Sequence, residues 1–334
     1  MIPGLRGHNI SSICSGNVFS AVVTAAGELF VWGSFRVSFF LPYNKSVNRS
    51  SLQNSYGSVT LPSGERYFQC PTSPFGPAPE TKVASVTCGG NHLLIISTTG
   101  DLYAWGINED NLLGISSHEE NVFGSPIKIN LPHSRRVVRV AAGRWHSFAI
   151  DSLGDVWGWG VNARGQLAMD ICESENIIKT PQKVSAMCKG SPILDGSFVV
   201  DIACGQFHSL FLLEDGRVFA CGRYDGGQLG LDPEDREKHA RDWHSISTPR
   251  EVQFPFPPSE QERIIGIVAS SRKSMAWTGS QLFVWGMGQE GELGLGSAKE
   301  KKEVYQPTPI DLPEWKPVQV GCGGQHTVAL FTKV

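Results

Sequence analysis

The sequence predicts an all-β protein, a β-propeller built from four-stranded blades. Three observations carry that prediction. A nineteen-residue sentence recurs as CGGNHLLIISTTGDLYAWG (88–106), AGRWHSFAIDSLGDVWGWG (142–160) and CGQFHSLFLLEDGRVFACG (204–222). Weaker copies extend the series, so that six units follow one another at spacings of roughly 53 to 73 residues, the last of them incomplete. The apolar runs inside each copy are short and strand-like, with no helical period between them. One such unit cannot bury both of its faces, but neighbours stacked around an axis can.

Each element of the unit has its own signature. A first strand ends on a small residue, as in VASVTC, VVRVAA, FVVDIAC and KPVQVGC. Gly-x-x-His then opens a second strand. The histidine slot is filled by His92, His146, His208 and His326, by Phe19 in the first copy (SGNVFSAVVTAAGELFVWG), and by Lys273 in the degenerate fifth copy (VASSRKSMAWTGSQLFVWG), whose hairpin is shortened. Gly27, Gly100, Gly154 and Gly216 lie eight residues after the slot and mark hairpin turns. Asp215–Gly216 predicts a two-residue turn, since glycine supplies positive φ without steric cost. A third strand ends in Trp-Gly at Trp32, Trp105, Trp159 and Trp285, with Cys221 substituting once. A loop of the form N-x-x-G-Q-L-G follows (NEDNLLG, NARGQLA, YDGGQLG, GQEGELG). A proline segment such as KTPQKV or QPTPIDL then predicts an outer edge strand, where a missing N–H is tolerated. The Ser-, Asn- and Pro-rich stretch 35–79 reads as an insertion loop within the first repeat, and 1–334 as a single propeller domain.

Composition narrows the function classes. The chain has 334 residues, 40% apolar and 18% charged, enough for a sizeable core. A net charge of −3 leaves no overall electrostatic footprint for nucleic acid. No run of 18 apolar residues predicts a transmembrane helix, and MIPGLRGHNISS lacks an apolar signal core. Eight cysteines without a Cys-x-x-Cys pair argue poorly for a disulfide scaffold or a zinc site. Cys88, Cys204 and Cys322 share one slot and read as small buried packing residues, in keeping with a reducing, intracellular compartment. A histidine recurring at one blade position reads as a structural pin at His92, His146 and His208, its ring hydrogen-bonding between strands, and not as a catalytic base. No Ser/His/Asp or metal-ligand constellation can be assembled, so no catalytic residue, metal or cofactor is expected. Arg135, Arg136 and Arg139, and Lys299, Lys301 and Lys302, read as solvated faces.

This grammar resembles the regulator of chromosome condensation repeat, over nearly the whole chain. LFVWGSFR (29–36), LFVWGMGQEGELGLG (282–296) and GCGGQHTVALF (321–331) resemble the branch of that family that exchanges guanine nucleotides on the small GTPase Ran. GSFR is not part of the general repeat grammar and is the most specific of these stretches. The resemblance implies a seven-bladed ring whose last blade is completed by N-terminal strands. By this register about one and a half family repeats are expected ahead of the first residue, so the chain reads as a truncated form. It implies exchange-factor-like action on Ran or a related GTPase, with no bond chemistry. The implied partners are a small GTPase and, in the same family, histones or the nucleosome. The implied state is a monomer in the nucleus, with the cytoplasm as the other compartment open to it, and no membrane. Matched residue by residue, two acidic family positions just before the slot fall at Asn17 and Asn91, both amides here. A family histidine falls at Phe207, and the terminal-blade histidine of the GTPase-binding face is kept as His326. The family's β-wedge falls at Leu41, Pro42, Tyr43, Asn44, Lys45, Ser46 and Val47, with Lys45 and Ser46 resembling its basic-polar tip. The alternative is a non-catalytic interaction scaffold on the same propeller, which the uncharged Asn17 and Asn91 favour. The plant ultraviolet-B photoreceptor type is disfavoured, because most tryptophans are accounted for by the Trp-Gly strands.

Overall fold

The computed structural model describes residues 5–17, 19–35, 58–60, 66–75, 80–115, 121–172, 174–232, 234, 245–255, 262–296 and 302–334. The repeated units fold into antiparallel sheets. The first holds β1 (Ile10–Ser15), β2 (Phe19–Thr24), β3 (Leu29–Phe35), β4 (Ser58–Thr60) and β5 (Arg66–Thr72), in the order β1-β2-β3-β5-β4. The second is β6 (Val83–Cys88), β7 (His92–Ser97), β8 (Leu102–Ile107) and β9 (Asn121–Ile129). The third is β10 (Val137–Ala142), β11 (His146–Asp151), β12 (Val156–Val161) and β13 (Ile177–Lys183). The fourth is β14 (Val199–Cys204), β15 (His208–Leu213), β16 (Val218–Arg223) and β17 (Ser245–Glu251). The fifth is β18 (Gly266–Ser270), β19 (Lys273–Trp277), β20 (Leu282–Met287) and β21 (Glu303–Pro309). Last comes a two-stranded sheet, β22 (Trp315–Cys322) and β23 (Thr327–Lys333). Among the described residues this is five full blades and a partial sixth. The first strands of consecutive blades, β1, β6, β10, β14, β18 and β22, touch in succession and so line the axis.

Packing explains why the second strands do not alternate. Every residue of β7 (HLLIIS), β11 (HSFAID) and β15 (HSLFLL) is buried, because neighbouring blades cover both faces of the sheet at this radius. Trp105, Trp159 and Trp285 are fully enclosed between blades. Each outer strand carries a register shift opposite the Trp-Gly strand; in the third blade Gly158 pairs with Gln182 and Gly160 with Ile178. Pro181 lies in that bulge, so its missing N–H interrupts no ladder bond.

The structure departs from the sequence expectations in three places. The stretch 35–79 is not only a loop: it contains β4 and β5, and β5 is the fourth strand of the first blade. The turn at Asp215–Gly216 has three residues, not two. Leu213 N–H donates to Arg217 O at 2.9 Å, which leaves Glu214, Asp215 and Gly216 in the loop, with Gly216 closing it at φ +90°. Cys88, expected as a packing residue, is joined to Cys14 by a disulfide, with Cα atoms 5.8 Å apart. The sequence obscures this pair because Cys14 lies five residues before its slot and Cys88 four.

Candidate partner-binding face

The histidine slots form a relay from blade to blade. His92 Nε2 lies 2.9 Å from Ser147 Oγ, His146 Nε2 2.8 Å from Ser209 Oγ, and His208 Nε2 2.9 Å from Ser274 Oγ. Each serine is the residue after the slot in the next blade. Its hydroxyl donates onward to a carbonyl of the preceding blade's N-x-x-G-Q-L-G loop. The acceptors are Leu112 O for Ser147 (3.2 Å), Gln166 O for Ser209 (2.7 Å) and Gln228 O for Ser274 (2.8 Å). Since the single hydroxyl proton is spent there, Nε2 must be the donor in each histidine. The Trp-Gly strand serves the same carbonyls: Trp159 Nε1 donates to Leu112 O at 2.9 Å and Trp285 Nε1 to Gln228 O at 3.0 Å. Where Cys221 replaces tryptophan, its thiol reaches Gln166 O only at 3.6 Å.

The relay explains the Gly-x-x-His motif. The imidazole packs against the glycine three residues earlier with Cε1 nearest, so a Cβ at Gly89, Gly143, Gly205 or Gly323 would collide with the ring. Gly16 carries the ring of Phe19 in the same way. The fifth copy departs at both positions together: Ser270 stands where the others have glycine, and Lys273 where they have a ring. Lys273 is buried and its Nζ donates to Gly324 O (3.4 Å) and His326 O (3.1 Å) of the sixth unit. At the first interface Phe19 is followed in the next blade by Leu93 instead of serine, and both sit in one apolar cluster.

These histidines are shut away from any substrate. His92, His146 and His208 have no exposed surface. Burial lowers His92 to about 4. Burial, then repulsion from the other two rings, lowers His146 to about 3. Burial lowers His208 to about 3 despite a backbone hydrogen bond that opposes it. All three are neutral at pH 7. Their Nδ1 atoms find no hydrogen-bond partner among the described residues.

The turns between first and second strands form a continuous rim around the axis. Asn17 N–H donates to Gly90 O (3.1 Å), Gly90 N–H to Gly143 O (3.2 Å), Arg144 N–H to Gly205 O (3.2 Å) and Gln206 N–H to Ser271 O (2.9 Å). Asn17 stands two residues before its slot, Asn91 and Phe207 one residue before theirs, and His326 in the slot itself, so all four fall in or beside the turns between first and second strands. Asn17 and His326 are exposed; Asn91 and Phe207 are half-buried. The structure brings the Asn17 and Asn91 turns into direct contact, while Phe207 and His326 stand in separate turns farther round the rim. The wedge positions 41–47 lie outside the described residues.

Sequence reasoning missed the cationic part of this rim. The guanidinium of Arg144 lies 5.3 Å from the ring centroid of Trp145. Arg144 also flanks Gly90 opposite Asn17, whose Nδ2 is 3.4 Å from the Cβ position of that glycine. In the fourth and fifth blades Arg223 and Arg272 both hold Asp225, the latter at 3.1 Å, and Arg272 also reaches Met287 Sδ at 2.8 Å. Burial opposes ionisation of Asp225, but the two arginines outweigh it and hold the carboxyl below its usual range. The available signal was position: Arg144, Trp145 and Arg272 fall in the two places before the slot. Of the basic groups read as solvated faces, Arg139 pairs with Asp201 (3.4 Å) and Arg135 with the buried Asp151 (3.6 Å).

Comparison with known proteins places this geometry. The chain is 30% identical over 332 residues to Protein pim1 of Schizosaccharomyces pombe, covering 95% of this chain and 54% of the relative. It is 25% identical over 340 residues to the guanine nucleotide exchange factor SRM1 of Saccharomyces cerevisiae, covering 98% of this chain and 63% of the relative. The chain thus spans between half and two-thirds of the length of these curated relatives. Among solved structures it is similar to Prp20p of Saccharomyces cerevisiae, described with its binding properties to Gsp1p and histones. The TM-score is 0.78 at 23% identity, over 100% of this chain and 71% of that one. It is also similar to human WBSCR16, with a TM-score of 0.70 at 22% identity over 97% and 72%. The likeness to these structures shows the propeller fold. The family model described as RCC1-like domain matches residues 1–329, and this chain belongs to that family.

Proposed function

We propose that this chain is a guanine-nucleotide exchange factor-like propeller that acts on Ran or a related small GTPase. The observation that carries the reading is the rim, where the Asn17 and Asn91 turns are hydrogen-bonded to each other. The likeness to a relative named a guanine nucleotide exchange factor supports it. The mechanism needs no bond chemistry. A rim that binds the nucleotide-free GTPase more tightly than the loaded form weakens nucleotide affinity by the same factor, because linkage is reciprocal. The wedge segment 41–47 is the reading's second contact, with Lys45 and Ser46 approaching the nucleotide site. The same reading takes the ring to be the family's seven-bladed one, the compartment to be the nucleus, and histones to be a further class of partner.

A second reading has its own support. Asn17 and Asn91 are amides where the resembling exchange factors carry carboxylates, which suits a non-catalytic interaction scaffold. One assay separates the two. Release of fluorescent GDP from Ran is measured with and without the full chain at micromolar concentration, alongside the variant Asn91→Asp. Exchange-factor action gives accelerated release, increased further by Asn91→Asp. Binding without acceleration by either protein supports the scaffold.

A further inference from the structure

Cys14 and Cys88 join the axis-lining strands of the first two blades immediately beneath the rim. The stagger of the blades makes this pairing unique among the interfaces. A residue five before the slot in one blade faces the residue four before the slot in the next. By that register the other interfaces present Thr87 with Ala142, Ala141 with Cys204, Ala203 with Ala269 and Val268 with Cys322. Only the first offers two thiols.

The location matters because the bond crosses from the first blade to the second directly beneath the turns that carry Asn17 and Asn91. Two residues beyond Cys14, Gly16 packs against the Gly89 carbonyl, and the next residue, Asn17, donates its N–H to Gly90 O at 3.1 Å. The turn that follows Cys88, by contrast, is anchored on its other side as well, through Gly90 N–H to Gly143 O at 3.2 Å. Both cysteines are half-buried, within reach of a small thiol reagent.

We propose that Cys14 and Cys88 form a redox-operated staple: the disulfide locks the Asn17 and Asn91 turns into one rigid unit, and the dithiol leaves the two turns joined only by non-covalent contacts such as Asn17 N–H to Gly90 O. The oxidant is a low-molecular-weight disulfide such as glutathione disulfide. One protein thiolate attacks it, forming a protein–glutathione mixed disulfide and expelling one glutathione thiolate. The second protein thiolate attacks the protein sulfur of that intermediate, forming the Cys14–Cys88 bond and expelling the second glutathione. Two protein thiols lose two protons and two electrons, and one glutathione disulfide becomes two thiols. Competing sites are few among the described cysteines. Burial pushes Cys188 and Cys322 up to about 11, Cys221 up to about 12 and Cys204 higher still, which suppresses their thiolates. Cys172 is the exception: it is exposed, and its hydrogen bond with Ser174 lowers its thiol. The staple does not depend on which partner the rim binds.

The test uses the full chain carrying Cys172→Ser, equilibrated in oxidised or reduced glutathione buffer and trapped with N-ethylmaleimide. Peptide mass spectrometry is expected to find the Cys14–Cys88 cross-link in the oxidised sample and both thiols alkylated in the reduced one. Amide hydrogen exchange in segments 14–20 and 86–92 is expected to quicken at least tenfold on reduction, while segment 199–213 is unchanged. Cys14→Ser and Cys88→Ser should each show the fast exchange in both buffers. Both thiols alkylated in the oxidised buffer, cross-links to a different cysteine, or equal exchange in the two buffers would overturn the proposal.

Discussion

The relay makes a quantitative prediction at the interface between the third and fourth blades. Ser209→Ala deletes one hydroxyl that serves two buried groups: it accepts from His146 Nε2 and donates to Gln166 O. Leaving a buried donor or acceptor unsatisfied costs about 1–3 kcal/mol. Gln166 O keeps only the Cys221 thiol at 3.6 Å, a weak donor, so the change costs about 2–4 kcal/mol in total. Ser147→Ala at the preceding interface is milder. Leu112 O keeps the Trp159 indole at 2.9 Å, so only His92 Nε2 is orphaned. The expected difference between the two variants is about 1 kcal/mol. Urea unfolding followed by tryptophan fluorescence measures it, provided the slope with denaturant is unchanged. The double variant His146→Phe with Ser209→Leu copies the natural Phe19–Leu93 combination. It should destabilise by at least about 1 kcal/mol less than the sum of its single changes. Equal losses for Ser209→Ala and Ser147→Ala, or strict additivity in the double variant, would refute the relay as the source of blade-to-blade stability.

Two further predictions follow from the same slots. The three buried histidines bind protons in the unfolded chain near pH 6.5 but, when folded, only near 4, 3 and 3. The unfolded state therefore takes up more protons as pH falls, and stability present above about pH 6.5 is lost below it. The slope is on the order of 4 kcal/mol per pH unit near pH 5.5 for three groups. Denaturant midpoints from pH 7 to pH 5 should show that slope, reduced by about a third in His146→Gln; an unchanged slope in the variant would count against it. The double variant Ser270→Gly with Lys273→His should restore the pin, since the glycine makes room for the ring and Thr327, which follows the slot of the sixth unit, already donates to Glu292 O at 2.7 Å. A gain of about 1 kcal/mol is expected in urea unfolding, and a loss would show that the Lys273 ammonium is worth more than an imidazole here.

Much of the fold is legible because its strongest constraints are local and repeated. Gly-x-x-His records a ring lying on a glycine, Trp-Gly records an indole buried between blades, and the prolines mark bulged outer strands. What stays hidden is relational. The serine after the slot looks ordinary within its own blade, and its importance appears only when the preceding blade's histidine and loop carbonyl meet it. Cys14 and Cys88 fail to align in the repeat because the blades are staggered by one residue at the axis. The outer strand at 66–72 was hidden because polar insertions separate it from its own blade. At the candidate site, Asn17 and Asn91 could be placed from resemblance, but Arg144 over Trp145 and the Arg223–Asp225–Arg272 cluster required knowing that the turns form a single rim.

The division of labour within each turn explains why fold and function are read from different residues. The glycine and the ring of the slot are fixed by contact with each other, and the serine beyond is fixed by its carbonyl. Rim residues such as Asn17, Arg144, Gln206 and Arg272 join the ring through backbone atoms: the first three donate their N–H groups, and Arg272 offers its carbonyl to Met287. These main-chain bonds do not depend on side-chain identity, while the Arg272 guanidinium adds a side-chain link to Asp225 of the preceding blade. Amides, an arginine–tryptophan stack and an arginine-clamped carboxylate can all occupy a rim held by one unchanging pattern of main-chain bonds. On the proposed reading of the rim, substitutions of Asn17 or Gln206 should alter partner binding while leaving the urea midpoint in place.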